Sequence, residues 1–159
     1  MRRLLPFALL PLLVAGCDST GLTFEDVRRA YLYEIELEDF PTRQPDGNDW
    51  DSGLTVPEPD IYFTLETPSG FVIAETEPLA NVEGRDLPVF YPVPDVELEL
   101  DEPLYIVAWD DDGVLDDEFM DDIGPFRVGT FLEQDLDESF RLTSDSRDLE
   151  VTLRVEWDD

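Results

Sequence analysis

Three aspartates follow directly on an apolar segment at Tyr105-Ile106-Val107-Ala108-Trp109-Asp110-Asp111-Asp112-Gly113. On an extended chain residues i and i+2 point the same way, about 6.6 Å apart from the rise per residue. Asp110 and Asp112 can therefore converge on one ion while Asp111 faces away. The chain returns through Asp116, Asp117, Asp121 and Asp122 before Ile123-Gly124 opens the next apolar stretch. A flexible loop that offers only carboxylate oxygen suits Ca2+, which takes about six to eight oxygen ligands in a tolerant geometry. Zinc and copper prefer imidazole or thiolate, and the chain has no histidine and a single cysteine. The spacing is not that of an EF-hand, whose acids fall at fixed positions before a glycine. Counting back from Gly113 puts Ala108 at the first position, and counting back from Gly47 puts Thr42 and Gln44 at the first and third.

The same composition argues against catalysis. Without histidine there is no triad, and no pair among 40 acidic residues is singled out for the acid and base work of a glycosidase. The expectation is a protein that is not an enzyme. The formal charge is −30, and all ten basic residues are arginine. Such a field repels phosphate backbones, so a nucleic-acid partner is not expected. It also repels anionic head groups unless cations intervene. A solvated acidic shell suited to high salt competes with ion binding as the reason for the carboxylates, and only their local clustering separates the two.

The elements that would hold these loops read as strands. Tyr33 to Glu38 alternates apolar and acidic residues; Ile61, Phe63 and Leu65 share a face; Phe71 to Ala74 follows a Pro-Ser-Gly turn. Val96 to Leu100 alternates, and Leu104 to Trp109 is continuously apolar, as in a central strand covered on both faces. Phe126 to Phe131, Phe140 to Thr143 and Leu149 to Trp157 complete about eight short strands. Strands joined by Pro-, Gly- and Asp-rich connections, with no long helical period, predict a sandwich or barrel. Most of the 13 prolines fall outside these strand interiors. Eighteen aromatic residues (Phe, Tyr and Trp together) argue for a core and against disorder. Two connections are long, Phe40 to Pro59 and Asp110 to Gly124, and both are crowded with aspartate. Loops of that length in a compact domain are commonly functional.

The amino terminus has a separate logic. Met1-Arg2-Arg3 precedes an uncharged run from Leu4 to Ala15, interrupted by Pro6 and Pro11. This is too short for a membrane-spanning helix, which needs about 20 residues, and the order of charge, apolar run and small residues describes a secretory signal. Val14-Ala15-Gly16-Cys17 resembles the lipobox of bacterial lipoproteins. The resemblance implies a signal over residues 1–16, cleavage before Cys17, and a diacylglyceryl thioether on its sulfur. Two or more acyl chains anchor a protein stably, which places the chain in the cell envelope, exported and membrane-bound, with inner and outer membrane both open. Residues 17–30 are then a lipidated tether with a short helix opened by Thr23-Phe24-Glu25-Asp26, similar to a capping box.

From Tyr31 onward the pattern resembles the C2 domain, an eight-stranded antiparallel Greek-key β-sandwich that binds Ca2+ between loops at one end. In that family a strand of the form apolar-x-Val-x-Asp-x-Asp leads into the third ion-binding loop, closed by Asp-x-Ile-Gly. Here Val107 to Asp112 and Asp121-Asp122-Ile123-Gly124 match. Pro59-Asp60-Ile61-Tyr62 partly matches the Asp-Pro-Tyr that ends the first loop, and Asp51-Ser52-Gly53 fits its earlier aspartate, with Asp46 and Asp49 as alternates. Leu87-Pro88-Val89-Phe90 is similar to the Asn-Pro-Val-Trp segment before the family's fourth strand. The resemblance implies an all-β, C2-like domain over residues 31–159, monomeric, holding Ca2+ on Asp51, Asp60, Asp110, Asp112 and Asp121. Its role would be to bind lipid head groups or another envelope protein. The alternatives are a structural lipoprotein of immunoglobulin or transthyretin type with no specific ion and, behind it, a carboxylate-dependent hydrolase.

Overall fold

The structure is a computed structural model that describes residues 27–51, 58–113, 116–132 and 138–158. The signal segment, Cys17 and the capping-box residues Thr23 to Asp26 lie outside the described residues, as do Ser52 and Gly53. The strands are β1 (Arg29–Asp39), β2 (Ile61–Glu66), β3 (Val72–Glu75), β4 (Val89–Leu98), β5 (Leu104–Asp110), β6 (Glu118–Phe126), β7 (Ser139–Thr143) and β8 (Glu150–Asp158). One short helix, α1 (Val128–Leu132), separates β6 from β7. All pairings are antiparallel, in two sheets of order β4-β1-β8-β7 and β3-β2-β5-β6. The chain passes from one sheet to the other after β1, β3, β4 and β6, and turns back within a sheet after β2, β5 and β7. That is an eight-stranded antiparallel Greek-key sandwich, one of the two architectures the strand pattern allows and the one the resemblance implies.

The core is the set of inward side chains between the sheets. Leu32, Ile35 and Leu37 of β1 and Val151, Leu153 and Val155 of β8 face Ile61, Phe63, Leu65, Ile106 and Ala108 of the other sheet, all essentially inaccessible. Phe63 stands edge-on to Tyr91, with ring centroids 4.9 Å apart and planes at 87°. This is a favourable arrangement of ring quadrupoles.

Several boundaries differ from those the residue pattern predicts, each for a physical reason. The first strand starts at Arg29, paired with Asp158, so it begins inside the segment 17–30 expected to be tether and short helix. A register shift between Leu32 and Glu34 turns Leu32 inward and leaves Tyr33 exposed, against simple alternation. The sixth strand lies at Glu118–Phe126 rather than Phe126 to Phe131, and Val128 and Leu132 instead bury themselves four residues apart on α1. Gly129 packs against the Leu100 carbonyl, where an added Cβ would sit 2.9 Å from that oxygen. Pro92, Pro94 and Pro125 lie inside β4 and β6. Both are edge strands, where a missing amide donor costs no ladder bond. β5, finally, is covered only in part on its outer side, where Val107 is buried but Tyr105 and Trp109 are half-buried.

Replacing Phe63 by Ala removes an inaccessible ring from the inter-sheet core and is expected to cost about 3–5 kcal/mol of stability. Phe71, 69 % exposed at the β2–β3 turn, gives the contrast: its replacement by Ala should stay within about 0.5 kcal/mol. Urea denaturation of the two variants checks the pair, and equal losses would contradict the packing described.

Candidate metal centre

Strand register brings an acid into the core. Ile61 pairs with Asp110, Phe63 with Ala108 and Leu65 with Ile106, so all six side chains share the inward face of the β2–β5 pair. Asp110 therefore takes a core position and is 0 % exposed. Its Oδ1 accepts a 2.7 Å hydrogen bond from the Asp60 amide, whereas its Oδ2 is buried with no hydrogen-bond partner. Burial of a carboxylate oxygen without a donor is costly, and an orphaned oxygen of this kind marks a place where a cation fits.

Two further carboxylates converge on it. Asp51, Asp110 and Asp112 each place an oxygen within 4.8 Å of the others. Asp51 is itself 8 % exposed. It is held there by its neighbour Trp50, a buried indole whose Nε1 donates 2.7 Å to the Pro41 carbonyl. Gln44 ties the same loop down: its Nε2 donates 3.1 Å to the Trp50 carbonyl and also to Glu118. Glu118 is the cross-strand partner of Asp110 on β6. Asp112 follows from the i, i+2 spacing, and the intervening Asp111 uses Oδ1 to accept from the Gly113 amide at 2.8 Å.

Asp60 acts chiefly through its backbone. Besides donating its amide to Asp110, it accepts the Asp111 amide on its carbonyl at 2.9 Å, so the end of β5 is clamped to the start of β2. Its Oδ1 accepts the Asn81 amide at 2.7 Å and thereby holds the β3–β4 connection. Asp121 is placed apart from the three. It sits on β6 opposite Ala108, and its carboxylate accepts from Ser146 at 2.7 Å and from the Asp122 amide at 2.9 Å. The first-loop alternates are engaged elsewhere: Asp46 accepts from the amide and side chain of Asn48, and Asp49 pairs with Arg43 at 3.5 Å.

None of the described ion pairs involves Asp51, Asp110 or Asp112, and their protons are held accordingly. Burial pushes Asp110 up to about 6; the Asp60 amide bond opposes that shift, and the charges of Asp51, Asp112 and Asp60 add to it. Asp51 is raised by burial and then by Asp60, Asp112 and Glu58. Asp112 is raised by burial and then by Asp117, Asp111 and Asp60. Glu118 follows the same pattern, with burial first and Asp112 next, eased by the bond from Gln44. Like charges brought close disfavour ionisation, and a divalent cation would relieve all of them at once. The donor set is hard oxygen, which fits Ca2+ or a similar cation and not a soft metal.

Glu118 and Gln44 join the site without standing among the residues that the sequence pattern singles out. That pattern places the sixth strand later in the chain, which leaves Glu118 inside a loop. The signal that could have found it is the return of apolar residues at Phe119 and Met120, directly after Glu118 ends the acidic run.

No family model matches the chain, and no curated protein does. Among solved structures it is similar to human GIVD cytosolic phospholipase A2 in complex with methyl gamma-linolenyl fluorophosphonate, with a TM-score of 0.48 and 18 % identity over 80 % of this chain. The chain spans 16 % of the length of that phospholipase. It is also similar to BON1-C2B, with a TM-score of 0.47 and 10 % identity over 84 % of this chain and 92 % of that one. The chain itself is defined by its own architecture: an all-β antiparallel sandwich with an acidic cluster compatible with ion binding at one end.

The elevated Asp110 has a signed consequence for ion-free protein. The folded state keeps this proton up to about pH 6, while an unfolded aspartate releases it near 3.9, so the folded state binds more protons between the two. Stability of the chelator-treated protein should therefore fall as pH rises across that window. In Asp110→Asn this component of the slope should vanish. Urea midpoints at stepped pH for both proteins measure it, and parallel curves would count against the assignment.

Proposed function

We propose that this chain is an exported, lipid-anchored envelope protein whose sandwich binds Ca2+ at the end formed by the β1–β2 and β5–β6 connections, and that bound ion adapts this end for a membrane surface or a protein. The observation that carries the reading is the Asp110 oxygen, buried and without a donor beside Asp51 and Asp112. Those three carboxylates would hold the ion, with Glu118 next to them. Asp60 and Asp121 complete the ligand set that the C2 resemblance implies. Asp60 contributes here as the clamp on β5, and Asp121 through its bond to Ser146. The role is binding and not catalysis, because the chain has neither histidine nor a second thiol beyond Cys17. Anchoring rests on the lipobox-like Val14-Ala15-Gly16-Cys17.

A Ca2+ bound only by the folded state stabilises it by about 2.7 kcal/mol at a hundredfold excess over Kd. Melting temperature at fixed ionic strength with Ca2+, Mg2+ or chelator should show a rise specific to Ca2+. The double substitution Asp110→Asn/Asp112→Asn should abolish that rise. A solvated acidic shell responds instead to molar monovalent salt, so identical melting under all three conditions would refute the ion site.

The anchor has its own test. Cys17→Ser is expected to lose labelling by radioactive palmitate and to leave unprocessed or soluble protein. Labelling that persists in this variant would mean that the lipid is attached elsewhere.

A further inference from the structure

The outward side of β5 presents a different chemistry from its inward side. Tyr105, Val107 and Trp109 alternate with the core residues, and with Phe119 they line an open groove of about 320 Å3 on the outer face of the β3-β2-β5-β6 sheet. The charged residues lining it are Glu66 and Asp122. Glu66 pairs across β2 with Tyr105, and Asp122 pairs across β6 with Val107. The two carboxylates thus flank β5 on opposite sides, two residues out of step.

The aromatic floor is already ordered. The Trp109 indole donates 3.0 Å to the Thr64 hydroxyl, which in turn donates 2.6 Å to Glu66. Phe119, 49 % exposed, stands edge-on to Trp109 at 5.8 Å. The Tyr105 ring lies against Gly124, where an added Cβ would come within 2.5 Å of the ring. A floor with its rotamers set in advance loses little entropy when it is covered.

The two sheets also differ in how their charge is met. Arg29, Arg141 and Arg154 pair with glutamates on the β4-β1-β8-β7 sheet. Among the described residues no ion pair lies on β2, β3, β5 or β6.

We propose that this groove docks an arginine-bearing segment of a basic protein partner, its guanidinium groups stacking on Trp109 and Tyr105 while Glu66 and Asp122 accept their N–H groups. A planar guanidinium offers both a face for aromatic rings and a fork for carboxylates, and it is less strongly hydrated than an ammonium. A quaternary ammonium head group has no N–H to give the carboxylates, and the phosphate beside it would be repelled by them. The acidity of the whole chain draws a basic partner in, and the groove, where acid and exposed aromatic rings coincide, selects where it settles.

The full chain is titrated at physiological ionic strength with the peptide acetyl-Gly-Arg-Leu-Arg-Gly-amide and with its citrulline counterpart, reading affinity and the Trp109 indole N–H resonance. The arginine peptide should bind about tenfold tighter or more and shift that resonance, a margin consistent with one desolvated cation–π contact. Glu66→Gln/Asp122→Asn, nearly isosteric and half-exposed, should lose at least about tenfold. The same charge removed elsewhere, by Glu99→Gln/Glu156→Gln, should lose less than about twofold. Equal binding of arginine and citrulline peptides, or equal losses in the two double variants, would overturn the proposal. So would capture of phosphatidylcholine vesicles by a chain that ignores the peptide. The Ca2+ response of melting temperature is read on every variant, so a failure here is distinguishable from a failure of the ion site.

Discussion

An aspartate at a core position is the constraint around which one end of this protein is organised. The inward face of β5 runs Leu104, Ile106, Ala108 and then Asp110, in phase with the core and paired with Ile61 of β2. A carboxylate there forfeits hydration and must be met by donors or by a cation. The Asp60 amide meets one oxygen. That same bond fixes where β2 begins, and the return bond from Asp111 to the Asp60 carbonyl fixes where β5 ends. Asp51 and Asp112 then gather at the other oxygen. The strand pairing thus makes the acidic cluster by placing one acid where water cannot follow.

Holding that end together takes little regular structure. The β1–β2 connection is pinned by Trp50, whose ring is buried and whose N–H reaches Pro41, and by Gln44, which reaches both the Trp50 carbonyl and Glu118. The β3–β4 connection is joined through Asn81 to Asp60, and the β7–β8 turn through Ser146 to Asp121. These three connections and the β5–β6 loop, tied through the Asp111 amide to the Asp60 carbonyl, therefore meet at the same end of the sandwich. The carboxylates do double duty, as hydrogen-bond acceptors for loop amides and as a reservoir of like charge that a cation would discharge.

The rest of the charge is handled by geometry. On the β4-β1-β8-β7 sheet Arg154 lies between Glu34 at 3.0 Å and Glu36 at 2.7 Å, and Arg141 lies between Glu38 and Glu150. Pairs as exposed as these add little stability individually, but they spend much of the scarce arginine on one face. Among the described residues the acids of the opposite sheet form no ion pair. A single strand, β5, thereby contributes to both features: its inward side ends in the acidic cluster, and its outward side floors the groove.

Much of this was legible in the residue order. Period-two alternation and turn chemistry determine an all-β sandwich or barrel, because a strand must put every second side chain into one core. The acids at a strand end determine that oxygen chemistry sits beside β5, and the absence of histidine excludes the softer metals. The register lay beyond reach. Nothing local says that Ile61 faces Asp110, that a bulge turns Tyr33 out, or that Glu118 rather than Asp121 stands opposite Asp110. Asp51 and Asp110 are separated along the chain by β2, β3, β4 and the length of β5, and only the closing of the two sheets brings their oxygens within 4.8 Å. Alternation is a property of neighbours and is written in the chain; convergence depends on long-range pairing, where a slip of one residue would have turned Asp110 out to water.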